Sequence, residues 1–138
     1  MAKKFITGIG GIFYKSKNPA SMYDWYNNQL GIPTNAYGTT FEWRHIDRAE
    51  LKGETAWCLF KDTSDYFLPS EKEFMINFRV HDLDELLEHL KQSGIEPLGP
   101  VQNFDYGRFA HILDPEGNKL ELWEPNEEVL GEEIENKI

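Results

Sequence analysis

Two stretches of this chain match at an offset of 64 residues, and that repeat constrains the fold more than any other feature. Gly11-Ile12-Phe13-Tyr14-Lys15-Ser16-Lys17-Asn18-Pro19 aligns with Met75-Ile76-Asn77-Phe78-Arg79-Val80-His81-Asp82-Leu83. Each stretch alternates as a strand does and ends on a helix N-cap residue. Asn18 is expected to cap a first helix, with Pro19 at the first helical position, where its missing N–H costs nothing. Asp82 is expected to cap a second, with Glu85 three residues on to complete a capping box. Pro19, Met22, Tyr23, Tyr26 and Leu30 form one apolar stripe at helical spacing, and Leu83, Leu86, Leu87 and Leu90 form the other. Gly31 and Gly94 follow as stops. Strands are expected near residues 41–46 and 55–60 in the first half. In the second half they are expected near 108–113 and 119–124, joined by the turn Asp114-Pro115-Glu116-Gly117-Asn118.

The predicted order is therefore β-α-β-β-β, twice. Module one spans about 5–62, a linker lying over the surface about 63–72, module two about 73–125, and an acidic tail about 126–138. One such unit cannot bury its sheet alone, so the copies are expected to pack into one α+β domain with a curved mixed sheet and outer helices. The 138 residues suit a single domain with its own core. No apolar run approaches the ~20 residues of a membrane span, and the N-terminus has no leader-like hydrophobic stretch. Cys58 is the sole cysteine, which excludes an internal disulfide and is simplest in a reducing, cytoplasmic setting. Formal charge is −10, of which five Glu and one Lys in the tail supply −4. An acidic surface repels phosphate backbones, so nucleic acid is not an expected partner.

Strand alternation separates two faces. Ala110, Ile112, Leu120 and Leu122 should pack on the helices, as should Phe74, Ile76, Phe78 and Val80. The other face then carries Phe109, His111, Glu121 and Trp123 with Met75, Asn77 and Arg79. Polar and aromatic groups gathered on one face of a curved sheet make a ligand cavity.

Tyr26-Asn27-Asn28-Gln29-Leu30-Gly31 resembles a helix ending of the glyoxalase/bleomycin-resistance/dioxygenase (vicinal oxygen chelate) superfamily. Asp105-Tyr106-Gly107-Arg108 followed by Asp114-Pro115-Glu116-Gly117-Asn118-Lys119-Leu120-Glu121-Leu122 resembles its closing hairpin. The resemblance covers about residues 6–125 and implies a fold, not a reaction. It also implies four ligand positions, on the first and last strand of each module, where metal-dependent members carry His, Glu or Gln. Here those positions read Gly11, Trp57, Met75 and Glu121. Glycine and tryptophan cannot ligate, a thioether suits soft ions, and one carboxylate does not hold a catalytic metal. No metal or other cofactor is therefore expected, a divalent ion being the alternative. His111, beside Glu121, is read as a pocket histidine that the carboxylate orients, and the pair as the candidate catalytic groups if catalysis occurs.

The remaining candidate ligand contacts are Phe13, Trp43, Trp57, Met75, Asn77, Arg79, Tyr106, Arg108, Phe109 and Trp123. Aromatics can wall a flat or cationic ligand, and Arg79 or Arg108 can fork onto an anionic group. The commoner fate of each is core packing or an ion pair. Cys58, opposite in parity to Trp57, is expected to face the helices as an inert hydrophobe. The expected function is binding of a small organic ligand, as in the bleomycin-resistance branch. The alternative is a metal-dependent lyase, isomerase or dioxygenase like glyoxalase I or the extradiol enzymes. A homodimer is expected, since members of the superfamily commonly complete cavities between modules or subunits.

Overall fold

In the computed structural model, residues 4–126 are described. The chain runs β1 (Ile6–Ser16), α1 (Pro19–Leu30), β2 (Thr39–Arg44), β3 (Lys52–Lys61), β4 (Phe74–Val80), α2 (Leu83–Gln92), β5 (Gln102–Phe104), β6 (Gly107–Leu113) and β7 (Lys119–Pro125). The helices start where the caps place them. Asn18 Oδ1 accepts from the Ser21 amide at 3.2 Å, and Asp82 Oδ1 accepts from the Glu85 amide at 3.0 Å. Gly31 ends α1 in the left-handed conformation, at φ 71°.

The seven strands form one mixed sheet in the order β2-β3-β1-β4-β7-β6-β5. Its centre is the antiparallel β1–β4 seam, with parallel β1–β3 and β4–β7 pairs on either side. A two-fold relation follows, with β1, β3 and β2 answering to β4, β7 and β6. Gly11 opposite Asn77 becomes Phe13 opposite Met75. The modules differ in one respect. Module two has the full βαβββ order, whereas module one carries only an isolated Asn35–Gly38 bridge where a further strand was predicted.

Each helix covers its own module. Leu83 and Leu86 of α2 pack with Val80, Ala110, Ile112 and Leu122, the apolar set that alternation assigned to that face. Tyr23 of α1 packs with Trp57 and Leu59 of β3, and its hydroxyl accepts from the Leu59 amide at 2.6 Å. Leu30, placed on that stripe by spacing, stands 59% exposed. Among the described residues no helix is long and apolar enough to cross a membrane. The acidic tail lies outside the described residues, Asn126 excepted.

Residues 63–72 cross the sheet with most of their side chains exposed, and within the run Tyr66-Phe67-Leu68 it is Phe67 that turns fully inward, into a cluster with Phe13 and Met75. One expectation is corrected: Trp57 and Cys58 exchange faces. Trp57 packs edge-on against Tyr26 and Tyr23 of α1, at centroid distances of 4.6 and 5.7 Å. Cys58 lines the concave face. Phe13 pairs with Cys58 as Asn77 pairs with Glu121, so the offset is 64 in the first strand and 63 in the last. A one-residue slip in a strand turns every side chain over. The residue equivalent to Glu121 is therefore Cys58.

Candidate ligand-binding site

A cavity of about 520 Å³ opens on the concave face of module two and the seam. Its walls are aromatic. Phe109 and Trp123 stack at 5.7 Å and 5°, Phe104 and Tyr106 at 5.2 Å and 2°, and the two pairs meet edge to face. Phe13, Phe60 and Tyr66 close the opposite side. Alternation on β6 and β7 sets the first pair, since Phe109 and Trp123 are cross-strand partners. Gly107, at φ 135°, lets the β5–β6 turn approach closely enough for Trp123 Nε1 to donate to the Tyr106 carbonyl at 3.1 Å.

Glu121 lies on the cavity floor, 4% exposed, with its carboxylate facing donors from three strands or loops. Asn77 Nδ2 donates to Oε1 at 2.7 Å. The Tyr66 hydroxyl donates to Oε2, and His111 Nε2 stands 2.8 Å from the same oxygen. With the carboxylate ionised, that imidazole nitrogen carries the proton. Burial pushes the Glu121 pKa up, but the hydrogen bonds from His111, Tyr66 and Asn77 outweigh it and hold the group below the usual carboxylate range. Burial, and then the charge of Glu121, drive the Tyr66 phenol well above its ordinary value. The same two causes, in the same order, raise the Cys58 thiol. An ionised, triply bonded carboxylate is a weak base, and a thiol kept protonated is a poor nucleophile.

Tyr66 completes the floor, and strand parity does not reach it because it sits on the crossing segment. Its ring stacks on Phe60 at 5.6 Å, and Lys119 Nζ holds its carbonyl at 2.6 Å. The signal was the same apolar run that carries Phe67.

The other candidates separate. Phe13, Asn77, Tyr106, Phe109, Glu121 and Trp123 line the cavity, and His111 lies behind Glu121. Met75 is sealed under Phe67, and Trp57 is on the helix side. Arg108 bonds Asp84 at 2.8 Å and stands 3.8 Å from Glu124, so it ties α2 to the hairpin. Arg79 is 1% exposed, with its guanidinium between Trp43 and Trp123 at 5.4 and 5.0 Å from the ring centroids. It braces the wall by cation–π contact, out of reach of a ligand's anionic group.

Gly10 lies where β1 bulges between Ile9 and Gly11. A Cβ there would stand 3.0 Å from Arg79 Cγ and Trp123 Cε3, and closer still to Asn77 Oδ1. Gly10→Ala is therefore expected to push Asn77 off Glu121 and to cost about 1–3 kcal/mol. Urea unfolding checks the cost, and a loss below about 0.5 kcal/mol would contradict it.

The residues do not fit a divalent metal. The amide of Asn77 and the hydroxyl of Tyr66 point hydrogens at Glu121, where a metal site would point lone pairs. The equivalent positions offer Phe13 and Cys58. Among the described residues no group of three or more His, Cys, Asp or Glu is placed to hold an ion.

The family model for the Glyoxalase/Bleomycin resistance protein/Dioxygenase superfamily matches residues 8–122, and the chain belongs to that superfamily. Among solved structures it resembles methylmalonyl-CoA epimerase from Mycobacterium tuberculosis, with a TM-score of 0.61 and 18% identity over 94% of this chain and 95% of that one. A Streptomyces coelicolor methylmalonyl-CoA epimerase, in complex with 2-nitronate-propionyl-CoA, gives 0.63 and 14% over 88% and 99%. A superfamily member from Vibrio splendidus 12B01 gives 0.53 and 11% over 84% and 97%. At these identities the likeness is one of fold. Among curated proteins, no sequence matches.

Proposed function

We propose that this chain binds a small, flat organic ligand in the aromatic cavity and does so without a catalytic metal. One observation carries the reading: the single carboxylate at a ligand position of the superfamily is engaged by three hydrogen-bond donors, on both of its oxygens, inside a wall of stacked rings. A group so engaged orients and fixes the floor. With both oxygens already accepting hydrogen bonds and its pKa held down, it is a poor metal ligand and a weak base for proton abstraction. The stacked pairs supply broad apolar area with fixed geometry, which favours a planar ligand. Similarity to the epimerases supports the fold of the cavity and not their reaction.

The test uses 2-naphthol as a planar probe and follows quenching of tryptophan emission. Saturable one-to-one binding is expected, weakened about tenfold in Phe109→Ala, the equivalent of about 1.4 kcal/mol of lost stacking. Calorimetric titration with nickel, zinc, manganese and iron(II) gives the opposite arm. Stoichiometric metal binding that disappears in Glu121→Ala would overturn the reading and favour a metal-dependent lyase, isomerase or dioxygenase.

A further inference from the structure

A second large cleft, of about 470 Å³, lies beyond the Trp43–Arg79–Trp123 stack, with Trp43 in its wall. Its chemistry is the reverse of the first. Lys4, Arg44 and Arg48 line it with His45 and His81, and Asp47 is the one carboxylate among its lining residues. Three formal positive charges against one are gathered there, in a chain that carries 24 acidic and 14 basic residues in all. They come from separated segments: Lys4 precedes β1, Arg44 ends β2, and His81 follows β4. Arg48 comes from the connection between β2 and β3, which its backbone ties down. His45 N donates to the Leu51 carbonyl at 3.1 Å, and Leu51 N to that of Arg48 at 2.9 Å.

Arg44 Nη1 donates to the Ala49 carbonyl at 2.9 Å, which fixes the guanidinium while using one of its five N–H groups. Arg48 meets Glu50 at 3.2 Å, but both side chains are more than half exposed. An ion pair in that much water is weak and gives way to a ligand of higher charge. We propose that this cleft is an anion site that takes a phosphate group, free or as an ester. Two guanidinium forks match the oxygens of a tetrahedral dianion through paired N–H···O bonds, and Lys4 adds a point charge. The site shares no lining residue with the aromatic cavity.

The test is a titration of the isotopically labelled full chain with inorganic phosphate, at ionic strength held constant with sodium chloride, followed by amide chemical shifts. Saturable shifts are expected at Thr7, at residues 44–51 and at His81, with none at Phe60 or Phe109. The Arg44→Gln/Arg48→Gln double variant is expected to bind at least tenfold more weakly, with its other amides unmoved as evidence of an intact fold. Arg44→Lys, which keeps the charge and loses the fork, should fall between. Phenyl phosphate separates the two sources: equal affinity marks the free ion as the recognised group, and tighter binding marks an ester. Shifts that do not saturate, that acetate reproduces at the same ionic strength, or that survive in the double variant would overturn the site.

Discussion

Replacing Phe67 with alanine is expected to cost about 3–5 kcal/mol, the range for deleting a fully buried aromatic ring. Phe67 is 0% exposed and is enclosed by Phe13 and Met75, with Phe60 at 5.0 Å from its centroid. The loss has two parts: the transfer energy of the ring and the void it leaves. The void is hard to close, because the neighbours sit on the two central strands and cannot collapse without disturbing the β1–β4 seam. A drop of about 10 °C or more in melting temperature should accompany it. Chemical unfolding monitored by circular dichroism checks both figures. A change within about 0.5 kcal/mol, the usual effect of a surface substitution, would show that the crossing segment is only loosely applied to the sheet.

The second large effect belongs to Glu121. Glu121→Ala removes the shared acceptor of Asn77, Tyr66 and His111 and leaves buried donors without a partner, at about 3–5 kcal/mol. Glu121→Gln keeps the volume and one acceptor, and about 1–3 kcal/mol is expected. The pH dependence separates charge from shape. The folded protein holds the Glu121 pKa below its ordinary value of 4.5. A depressed carboxylate contributes stability that is fully present above the unfolded pKa and is lost as pH falls through the folded one. Wild-type stability should therefore fall on acidification below about pH 4.5, and part of that slope should be missing in Glu121→Gln. Asp84 and Asp114 are also depressed, by hydrogen bonds from Arg108 and Asn118 respectively, and their part of the slope stays in the variant. Parallel stability curves for wild type and Glu121→Gln between pH 3 and 7 would show that the floor carboxylate is not held ionised.

Module two was legible in the sequence because its strands alternate cleanly. Ala110, Ile112 and Leu122 went to the helices, and Phe109, Glu121 and Trp123 to the cavity, without ambiguity of period. β3 was not legible in the same way. Ala56-Trp57-Cys58-Leu59-Phe60 is apolar throughout, so it carries no alternation to fix its parity. The repeat then had to decide, and the one-residue difference in loop length misled it. β5 is three residues long, too short for a periodic signal, and module one has no counterpart to it. Tyr66 and Phe67 were missed for another reason. They belong to no regular element, and only the apolar run they share marked Phe67 for burial and Tyr66 for a place at the cavity. Arg108 and Arg79 sat on strands as read, but parity cannot tell a residue that meets a ligand from one that meets a carboxylate or an indole.

Joining the two modules in one polypeptide has a consequence for how such a cavity changes over generations. In a symmetric pair of single-module chains, each inherited substitution is copied onto both walls, because the contacts across a two-fold axis are reciprocal. Fusion removes that copying. Here the position that holds Glu121 in one half holds Cys58 in the other, and Asn77 answers to Phe13. The hydrogen-bonded carboxylate with its Asn77 and His111 partners stands in one half alone, an asymmetry closed to identical chains. The two ends of the cavity therefore present different chemistry, the carboxylate floor at one and Phe13 with Cys58 at the other.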